Sequence, residues 1–435
     1  MPEIKARQSF AYILMAILML VMGYYIEREQ SIALLSVFIV LVGAMIYILK
    51  TTEEEEVDLP YYWSILLRLL LVFSIPMLSD DVYRFIWDGR LITQLVDPYK
   101  HLPIDYLSQG IEGITPDLFL KLNSPEYFSI YPPLNQVVFF LSALLSPDSE
   151  FWSIVVLRVI IFTFELGNIS LIRKLLRHYK LPQRYGLFYA LNPMVILELT
   201  GNLHFEGIMV YFLLLALWYF EQNKLHWSAV FFGFSVATKF LPLIFLPLLI
   251  RKIGFKKTML YGLIVAGILV ISFLPLINTA HIWAIQDSLA LYFQKFEFNG
   301  SLYYLTRWYG FETEGHNIIA KSGQWMIIAT LISITFYSLL PTKKSLPTKM
   351  VWVWSLYLLF ATTVHPWYVI PLLAFSVFTE KRFAFVWSFL IFLTYANYMS
   401  GEYFEWIEIV IAEYAIVGIF ALYESTGRSL QKWFF

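Results

Sequence analysis

The chain has 435 residues, of which 59% are hydrophobic and 14% are charged, and its formal net charge is −1. Soluble domains carry about 25% charged residues, so this composition indicates a protein whose main solvent is lipid. The balanced charge argues against a nucleic-acid partner, and the absence of cysteine excludes disulfides, thiol catalysis and cysteine-ligated metals.

Apolar runs follow one another along the whole chain. A transmembrane helix needs about 20 apolar residues. The first run, 9–26, has no small-residue cleavage site and a second run follows almost at once, so we predict a retained helix rather than a signal peptide. The sequence therefore predicts an all-α, polytopic integral membrane helical bundle with about 12–14 transmembrane helices. The candidate spans are 9–26, 31–49, 61–78, 152–172, 185–199, 205–221, 258–277, 323–340, 350–364, 366–379, 383–399 and 407–423.

Two further apolar segments determine the orientation of the chain. Residues 134–146 are short for a span, and residues 227–250 form either one span or two arms that turn near Thr238-Lys239. Short cytoplasmic loops are enriched in Lys and Arg. If 134–146 does not cross and 227–250 crosses twice, each arm has only about eleven residues, but the basic clusters then all face the cytoplasm. These clusters lie at 173–184, 251–257, 343–349, 381–382 and 428–432.

This topology, with about fourteen crossings and both termini inside, places two long loops on the non-cytoplasmic side. They are 79–151 and 278–322, and the short outer turns are 200–204, 365–366 and 400–406. The acidic linker 50–60 becomes cytoplasmic and is expected to be a solvated charge run. No soluble part is large enough to fold separately, so residues 1–435 are predicted to form a single integral membrane domain.

The start of the first outer loop concentrates charged side chains at the membrane edge. Residues 79–90 contain three carboxylates and two guanidinium groups, those of Asp80, Asp81, Asp88, Arg84 and Arg90. In a helix, Asp81, Arg84 and Asp88 share one face, and Trp87 and Arg90 line a neighbouring face. Asp97-Pro98-Tyr99 is then expected to break the helix. Farther along the chain, residues 134–146 are expected to form a helix that lies along the interface.

The charged cluster has two interpretations. In the first, it is an interfacial linker whose charged side chains snorkel to water while Trp and Tyr anchor the chain. In the second, a carboxylate acts as a general base and arginines bind a phosphate group. The density of opposite charges beside the membrane favours the second interpretation.

Further polar residues fall on the same predicted side of the membrane. His204 and Glu206 lie in or just after the turn 200–204, and His365 lies in another outer turn. A lone histidine is more often structural than catalytic, so each turn by itself is weak evidence. Lys239, at the tip of the predicted hairpin, is a stronger functional candidate, because an ammonium group inside an apolar hairpin is costly.

The ordered series of short motifs resembles the GT-C superfamily of membrane glycosyltransferases. The closest likeness is to bacterial polyprenyl-phosphate-mannose-dependent mannosyltransferases, over about residues 79–380. The resemblance implies a GT-C-like bundle whose large first outer loop contains interfacial helices. The motifs are residues 80–90, Asp97-Pro98-Tyr99, Tyr131-Pro132-Pro133, Leu191-Asn192-Pro193, 202–206, 239–242 and His365-Pro366-Trp367-Tyr368.

The resemblance also implies a reaction and a location. A hexose, mannose in the similar enzymes, moves from a polyprenyl-phosphate donor to an acceptor hydroxyl with inversion of the anomeric centre. The acceptor is a glycan, a lipid or a protein, and the other partners are membrane lipids, with no nucleic acid. The implied location is the bacterial inner (cell) membrane, with the active site facing the non-cytoplasmic side.

Within that reaction the sequence offers a residue for each role. Asp81 is the first choice for the general base, and Asp80 is the second. Binding of the donor phosphate is assigned to Arg84, Arg90 and Lys239. Binding of the sugar or acceptor is assigned to Asp88, Trp87, Tyr131, His204, Glu206 and His365. We expect no required cofactor and no metal ligand set, although the carboxylates are also able to hold a divalent metal ion through oxygen.

The alternative function is a polytopic transporter or polymerase of lipid-linked oligosaccharides. A transporter is expected to place its ionisable residues near the middle of the membrane, often at broken helices. In this sequence the ionisable residues concentrate at the predicted outer edge, which favours chemistry there.

Overall fold

The computed structural model of the chain describes residues 2–276, 296–399, 401, 403–430 and 433–434. Within these ranges the secondary structure is helical, and no β-strand forms apart from an isolated bridge between Phe298 and Thr363. The predicted all-α fold is therefore confirmed. The outer-loop residues 278–295 and Lys432 of the last basic cluster lie outside the described residues.

Helices follow one another with short connections. In chain order they are α1 (Pro2–Tyr24), α2 (Ser31–Thr51), α3 (Asp58–Leu69), α4 (Asp81–Thr93), α5 (Pro103–Leu107), α6 (Pro116–Leu120), α7 (Pro133–Leu145), α8 (Glu150–His178), α9 (Leu187–Ala190), α10 (Pro193–Val195), α11 (Glu206–Glu221), α12 (Leu225–Thr238), α13 (Leu246–Ile253), α14 (Phe255–Phe273), α15 (Leu302–Glu314), α16 (Ile319–Leu339), α17 (Leu346–Phe360), α18 (Ile370–Ser376), α19 (Phe383–Leu390) and α20 (Ile407–Ser425). Short 3-10 turns connect several of them: Glu54–Glu56, Gln183–Gly186, Leu241–Phe245, Leu274–Leu276, Pro366–Val369 and Ile391–Tyr398.

Helix length and composition identify the candidate membrane spans. Among the described residues, α1, α2, α8, α14 and α16 are long and apolar enough to cross a membrane. A sixth span forms if Pro193–Gly201 and α11, which meet at 110°, are counted together. Five more apolar helical segments have 10–17 residues. Four of these segments fall in predicted spans, whereas the fifth, α7, lies in 134–146, which is predicted not to cross. α3 ends at Leu69, although the predicted span is 61–78. The polytopic fold is confirmed, and the count of 12–14 stays a prediction.

The first outer loop folds around its own hydrophobic cluster. Phe85 of α4 stacks on Phe139 of α7 with ring centres 4.7 Å apart. Gly89 lets the two helices approach closely, because a Cβ atom there would lie 2.3 Å from the carbonyl oxygen of Phe139. Buried Leu157 of α8 and Leu203 extend the same cluster toward the rest of the bundle. The loop is therefore a packed structure that presents the start of α4 at a fixed position.

The predicted span 185–199 is broken rather than continuous. After the short helix α10, residues Ile196–Gly201 form a π-helical turn, and the chain then bends sharply into α11. Leu203, at the bend, has a φ of 64°, in the left-handed region that bulky residues rarely adopt. π-Helical turns and such strained residues are frequent at functional sites.

A buried arginine supplies partners for the broken backbone. The Arg158 guanidinium group of α8 donates to the carbonyl oxygens of Thr200 (2.8 Å) and Gly201 (3.0 Å) in the broken span. It also donates to the carbonyl oxygens of Val72 (2.9 Å) and Ser74 in the segment that leads to α4. Arg158 therefore ties two irregular segments to one point.

A second buried arginine works on the same scaffold. Arg68 at the end of α3 pairs with Glu165 of α8 at 3.1 Å, and both side chains are fully buried. Arg68 also donates to the carbonyl oxygen of Ala190, at the end of α9 (2.7 Å). Glu165 accepts hydrogen bonds from Asn168 and from the Tyr189 hydroxyl, both at 2.7 Å. The pair thus fixes α3, α8 and α9 relative to one another.

Replacement of Arg158 with methionine tests the first of these constraints. Arg158→Met keeps much of the side-chain volume but leaves four carbonyl oxygens without their donors. Each buried unpaired group costs about 1–3 kcal/mol, so we expect a loss on the order of 3 kcal/mol or more in the free energy of unfolding. Thermal unfolding of the purified protein in detergent measures this loss.

Arg173→Met is the matched control. Arg173 pairs with Asp58 at a partly exposed position, and exposed ion pairs contribute about 0–1 kcal/mol. Equal melting temperatures for the two variants would contradict the role given to Arg158.

Candidate active site

A cavity of about 640 Å³ lies beside the start of α4. Its lining comes from segments that are far apart in the sequence, and aromatic rings form much of its wall. These segments are 78–85, 123–135, 204–206, 238–241, 296–298, 357–368 and 394–398, together with Arg28 from the connection between α1 and α2.

Most of the residues predicted from the sequence meet in this cavity. Its lining includes Asp80, Asp81, Arg84, Tyr131, His204, Glu206, Lys239 and His365. The structure thus brings together the first outer loop, the turn before α11, the end of α12 and the turn after α17, four regions that the sequence only suggested to be on one side of the membrane.

Three predicted residues do not line the cavity. Trp87 is fully buried, and its ring lies 6.1 Å from that of Phe119 in the hydrophobic cluster of the loop. Arg90 donates to the carbonyl oxygen of Gly113 (2.8 Å). Asp88 is fully buried and accepts hydrogen bonds from the Ser129 hydroxyl and, at 2.9 Å, the Gln136 amide. These side chains contribute to the packing of the loop.

Arg84 lies between the packed loop and the cavity. As predicted, it shares a helix face with Asp88, and its Nε donates to Asp88 Oδ1 at 2.9 Å. Its Nη1 donates to the carbonyl oxygens of Tyr127 (3.0 Å) and Ser124 (3.3 Å). The guanidinium group therefore holds the segment 123–132 against α4 while it reaches the cavity wall.

The two neighbouring aspartates have different partners. Asp80 Oδ2 pairs with Arg28 Nη2 at 2.9 Å. Asp81 Oδ1 accepts a hydrogen bond from the Asn123 amide at 2.6 Å, and Asp81 Oδ2 lies 3.8 Å from His204 Nε2. Among the described residues no lysine or arginine pairs with Asp81, whose side chain is 26% exposed. Its carboxylate is therefore oriented but not neutralised by a cation.

A second ion pair lies in the wall of the same cavity. Lys239 Nζ contacts Glu206 Oε1, and the same ammonium lies 4.0 Å from the centre of the Tyr368 ring. Glu206 is buried, whereas Lys239 is 30% exposed at the cavity surface. The Lys239 side chain is therefore partly accessible at the cavity surface.

Three aromatic rings stack in the wall of the cavity. Trp367 lies between two histidines, with ring centres 3.6 Å from His204 and 4.4 Å from His365. Phe298 continues the wall at 4.5 Å from His365. Two backbone hydrogen bonds hold Phe298 against residues 362–364. The Phe298 amide donates to the Thr362 carbonyl oxygen (3.1 Å), and the Val364 amide donates to the Phe298 carbonyl oxygen (2.8 Å).

Sequence reasoning did not identify three polar residues near this site. Arg28 and Asn123 are 52 and 42 residues from the aspartates that they contact, and no local pattern connects them. Glu198 contacts His204 Nδ1 at 3.2 Å. A signal for Glu198 existed, because a carboxylate inside the apolar run 185–199 is costly and therefore functional by default.

In the part of the chain that the structure describes, no group of three or more histidine, aspartate or glutamate side chains is spaced to bind a metal ion. The expectation that no metal is required stays a prediction.

Comparison with known proteins shows to which sequences this chain is similar. The family model "Alpha-(1->6)-mannopyranosyltransferase, N-terminal domain" matches residues 10–253. The alpha-(1->6)-mannopyranosyltransferase B of Corynebacterium glutamicum is 24% identical over 148 residues, which is 34% of this chain and 24% of that protein. The matched stretch thus spans about a quarter of that relative's length.

His365 makes the stability of the protein depend on pH. Burial, together with the nearby His204 and Lys239, lowers the pKa of His365 to about 3. An unfolded histidine binds a proton below about pH 6.5, whereas folded His365 does so only near pH 3, so stability falls as the pH decreases from 6.5 toward 3. At pH 5 the loss from this group is about 2 kcal/mol.

We therefore expect His365→Phe, which keeps the ring stack, to lose less stability than the wild type between pH 7.5 and pH 5. Thermal unfolding at the two pH values measures the difference. The exposed residue His316 provides the control variant His316→Phe, which should behave as the wild type. A His365→Phe variant with the pH dependence of the wild type would contradict the effect.

Proposed function

Because this chain belongs to the alpha-(1->6)-mannopyranosyltransferase family, we propose that it is a membrane mannosyltransferase that uses a polyprenyl-phosphate mannose donor. The acceptor is a hydroxyl group of a glycan, and the reaction takes place on the non-cytoplasmic side of the cell membrane. The isoprenoid tail of such a donor remains in lipid between helices, while its phosphate and sugar reach the cavity beside the start of α4.

The observation that carries this proposal is the contrast between Asp81 and the other acids of the cavity. Asp80 and Glu206 each pair with a cation, Arg28 and Lys239 respectively. Asp81 instead contacts the neutral amide of Asn123 and faces His204. A carboxylate that is fixed in position, open to the cavity and not paired with a cation is suited to accept a proton from a bound hydroxyl group.

The proposed reaction is a single displacement. The acceptor oxygen attacks the anomeric carbon of mannose while its proton passes to Asp81. The bond between the anomeric carbon and the phosphate oxygen breaks, and polyprenyl phosphate leaves with the electron pair. A single displacement inverts the anomeric centre, so an α-linked product requires a β-linked donor. A (1->6) linkage further means that the attacking group is a primary hydroxyl.

Two cations at the cavity surface are placed to stabilise the leaving phosphate. Lys239 is partly exposed, and Arg28 is 26% exposed beside Asp80. Charge-assisted hydrogen bonds to a developing anion lower the barrier because the donors are already oriented. Arg84, which is occupied by Asp88 and two carbonyl groups, contributes its positive charge at longer range.

A second candidate function is transport of a lipid-linked sugar. It is favoured by one feature, the sharp bend between Pro193–Gly201 and α11, because transporters often bind substrates at broken helices. Proteoliposomes separate the two functions: a transporter moves a labelled polyprenyl-phosphate sugar between leaflets without forming a glycosidic bond.

The first test removes the proposed base. Asp81→Asn keeps the shape of the side chain and its contact with Asn123 but cannot accept the proton. We expect mannose transfer from a polyprenyl-phosphate donor in nanodiscs to fall at least about 100-fold, the low end for loss of general-base catalysis. Asp117→Asn, at an exposed position of α6, is the control. Full activity of the Asp81 variant would exclude Asp81 as the base.

The second test concerns donor binding. Lys239→Gln keeps a hydrogen-bond donor for Glu206 but removes the positive charge. Loss of one charge-assisted hydrogen bond, about 1.5–3 kcal/mol, should raise the KM for the donor roughly 10-fold or more, with a smaller effect on the KM for the acceptor. Lys224→Gln, at an exposed turn, serves for comparison. An unchanged KM for the donor would contradict the assignment of Lys239 to the phosphate site.

A further inference from the structure

We propose that Glu198 and His204 form a proton relay behind Asp81, in which Glu198 orients the imidazole of His204 and His204 receives the proton that Asp81 removes from the acceptor. This inference rests on the proposed transfer reaction and adds to it a positioning residue, Glu198, and a proton-accepting role for His204.

Glu198 is held rigidly inside the broken span. It belongs to the π-helical turn Ile196–Gly201 and is fully buried. Its Oε1 accepts a hydrogen bond from the Tyr395 hydroxyl at 2.7 Å, and its Oε2 accepts one from the Asn202 amide at 3.3 Å. Because donors on two sides fix this carboxylate, it meets a third partner in a single orientation.

That third partner is the Nδ1 atom of His204. Nδ1 lies 3.2 Å from Glu198 Oε2 and 3.0 Å from the Glu198 carbonyl oxygen. Because a carbonyl oxygen only accepts hydrogen bonds, Nδ1 must carry a proton and donate it. In the neutral ring, Nε2 is then the basic nitrogen.

Nε2 faces the reacting carboxylate. It lies 3.8 Å from Asp81 Oδ2, and it has no hydrogen-bond partner among the residues that the structure describes, although His204 is buried. This distance exceeds that of a direct hydrogen bond, about 2.8 Å, so the Asp81 carboxylate must approach Nε2 before a proton passes between them.

The backbone around His204 is built to hold this orientation. The strained φ of Leu203 immediately precedes His204, and the amide nitrogen of His204 donates to the Glu198 carbonyl oxygen at 3.2 Å. Trp367 stacks on the imidazole ring and fixes the plane in which it lies. Strain retained next to a buried, unpaired nitrogen is the pattern expected where positioning serves a reaction.

The proton transfer conserves charge at each step. Asp81 takes the proton of the acceptor hydroxyl as the new carbon–oxygen bond forms, and polyprenyl phosphate departs. The proton then passes from Asp81 to His204 Nε2, which forms an imidazolium paired with the Glu198 carboxylate. Asp81 returns to its anionic form, and the imidazolium loses its proton to water when the product leaves.

Several charged groups surround His204 and enter its pH dependence. Glu198 faces it from the broken span, Asp81 from α4 and Glu206 from α11, and His365 lies on the other side of Trp367. The three acids favour the imidazolium, with Glu198 in direct contact. Removal of the Glu198 charge should therefore make His204 a weaker proton acceptor that becomes protonated only at lower pH.

Glu198→Gln tests the relay in the mannose-transfer assay. We expect kcat to fall about 10–100-fold, as for other groups that orient an active side chain, with both KM values nearly unchanged. The acid limb of the pH–rate profile should move to lower pH. Glu413→Gln is the control for loss of a buried carboxylate outside the cavity lining, since Glu413 contacts Trp387 and Asn299 instead. Its acid limb should not move.

A double-mutant cycle makes the test independent of structural damage. His204→Gln should lose the acid limb that belongs to the imidazole, and the Glu198→Gln/His204→Gln double variant should be no slower than His204→Gln alone, because Glu198 acts only through His204. Thermal unfolding and size-exclusion profiles identify variants that do not fold. If Glu198→Gln does not fold, the pH–rate profile of His204→Gln tests the relay in its place.

The outcomes separate this inference from the proposed function. An unmoved acid limb in Glu198→Gln, or additive losses in the double variant, overturns the relay but leaves a transferase that depends on Asp81. Absence of mannose transfer by the wild-type protein overturns both.

Discussion

The arrangement of the cavity depends on hydrogen bonds to backbone carbonyl groups where helices are interrupted. In lipid, irregular backbone is tolerated only where protein or trapped water satisfies its polar groups. Arg158 meets this requirement for both 72–74 and 200–201, and Arg68 does so for Ala190. Because the first of these segments leads to Asp80 and Asp81 and the second leads to His204, one guanidinium group fixes the distance between the two halves of the candidate site.

The candidate site and the loop packed beside it also show how charge is distributed when few charged residues are available. Asp88, Asp80 and Glu206 are each balanced by a cation, those of Arg84, Arg28 and Lys239. Asp81 and Glu198 instead share the imidazole of His204. In a site of low dielectric, an unbalanced carboxylate is costly unless hydrogen bonds orient it, and both of these carboxylates have such bonds. Asp81 and Glu198, which no cation among the described residues balances, are therefore the carboxylates that we assign to proton transfer.

The local prediction for α4 was correct in its geometry. A helical repeat correctly placed Arg84 and Asp88 on one face, because i and i+4 side chains meet in any helix. The repeat does not say which side of the helix meets water. The face with Arg84 and Asp88 packs against residues 123–136. Asp88 therefore stabilises the loop, and Arg84 lies at the edge of the cavity.

The sequence by itself determined the all-α membrane fold and the resemblance to mannosyltransferases. Hydropathy, helical periodicity and short motifs are local properties, and each can be read without knowing which segments meet. The tertiary structure decided what depends on distant contacts. It brought Arg28, Asn123 and Glu198 to the residues that they contact. It also broke the predicted span 185–199, whose interrupted backbone receives hydrogen bonds from Arg158 of another helix.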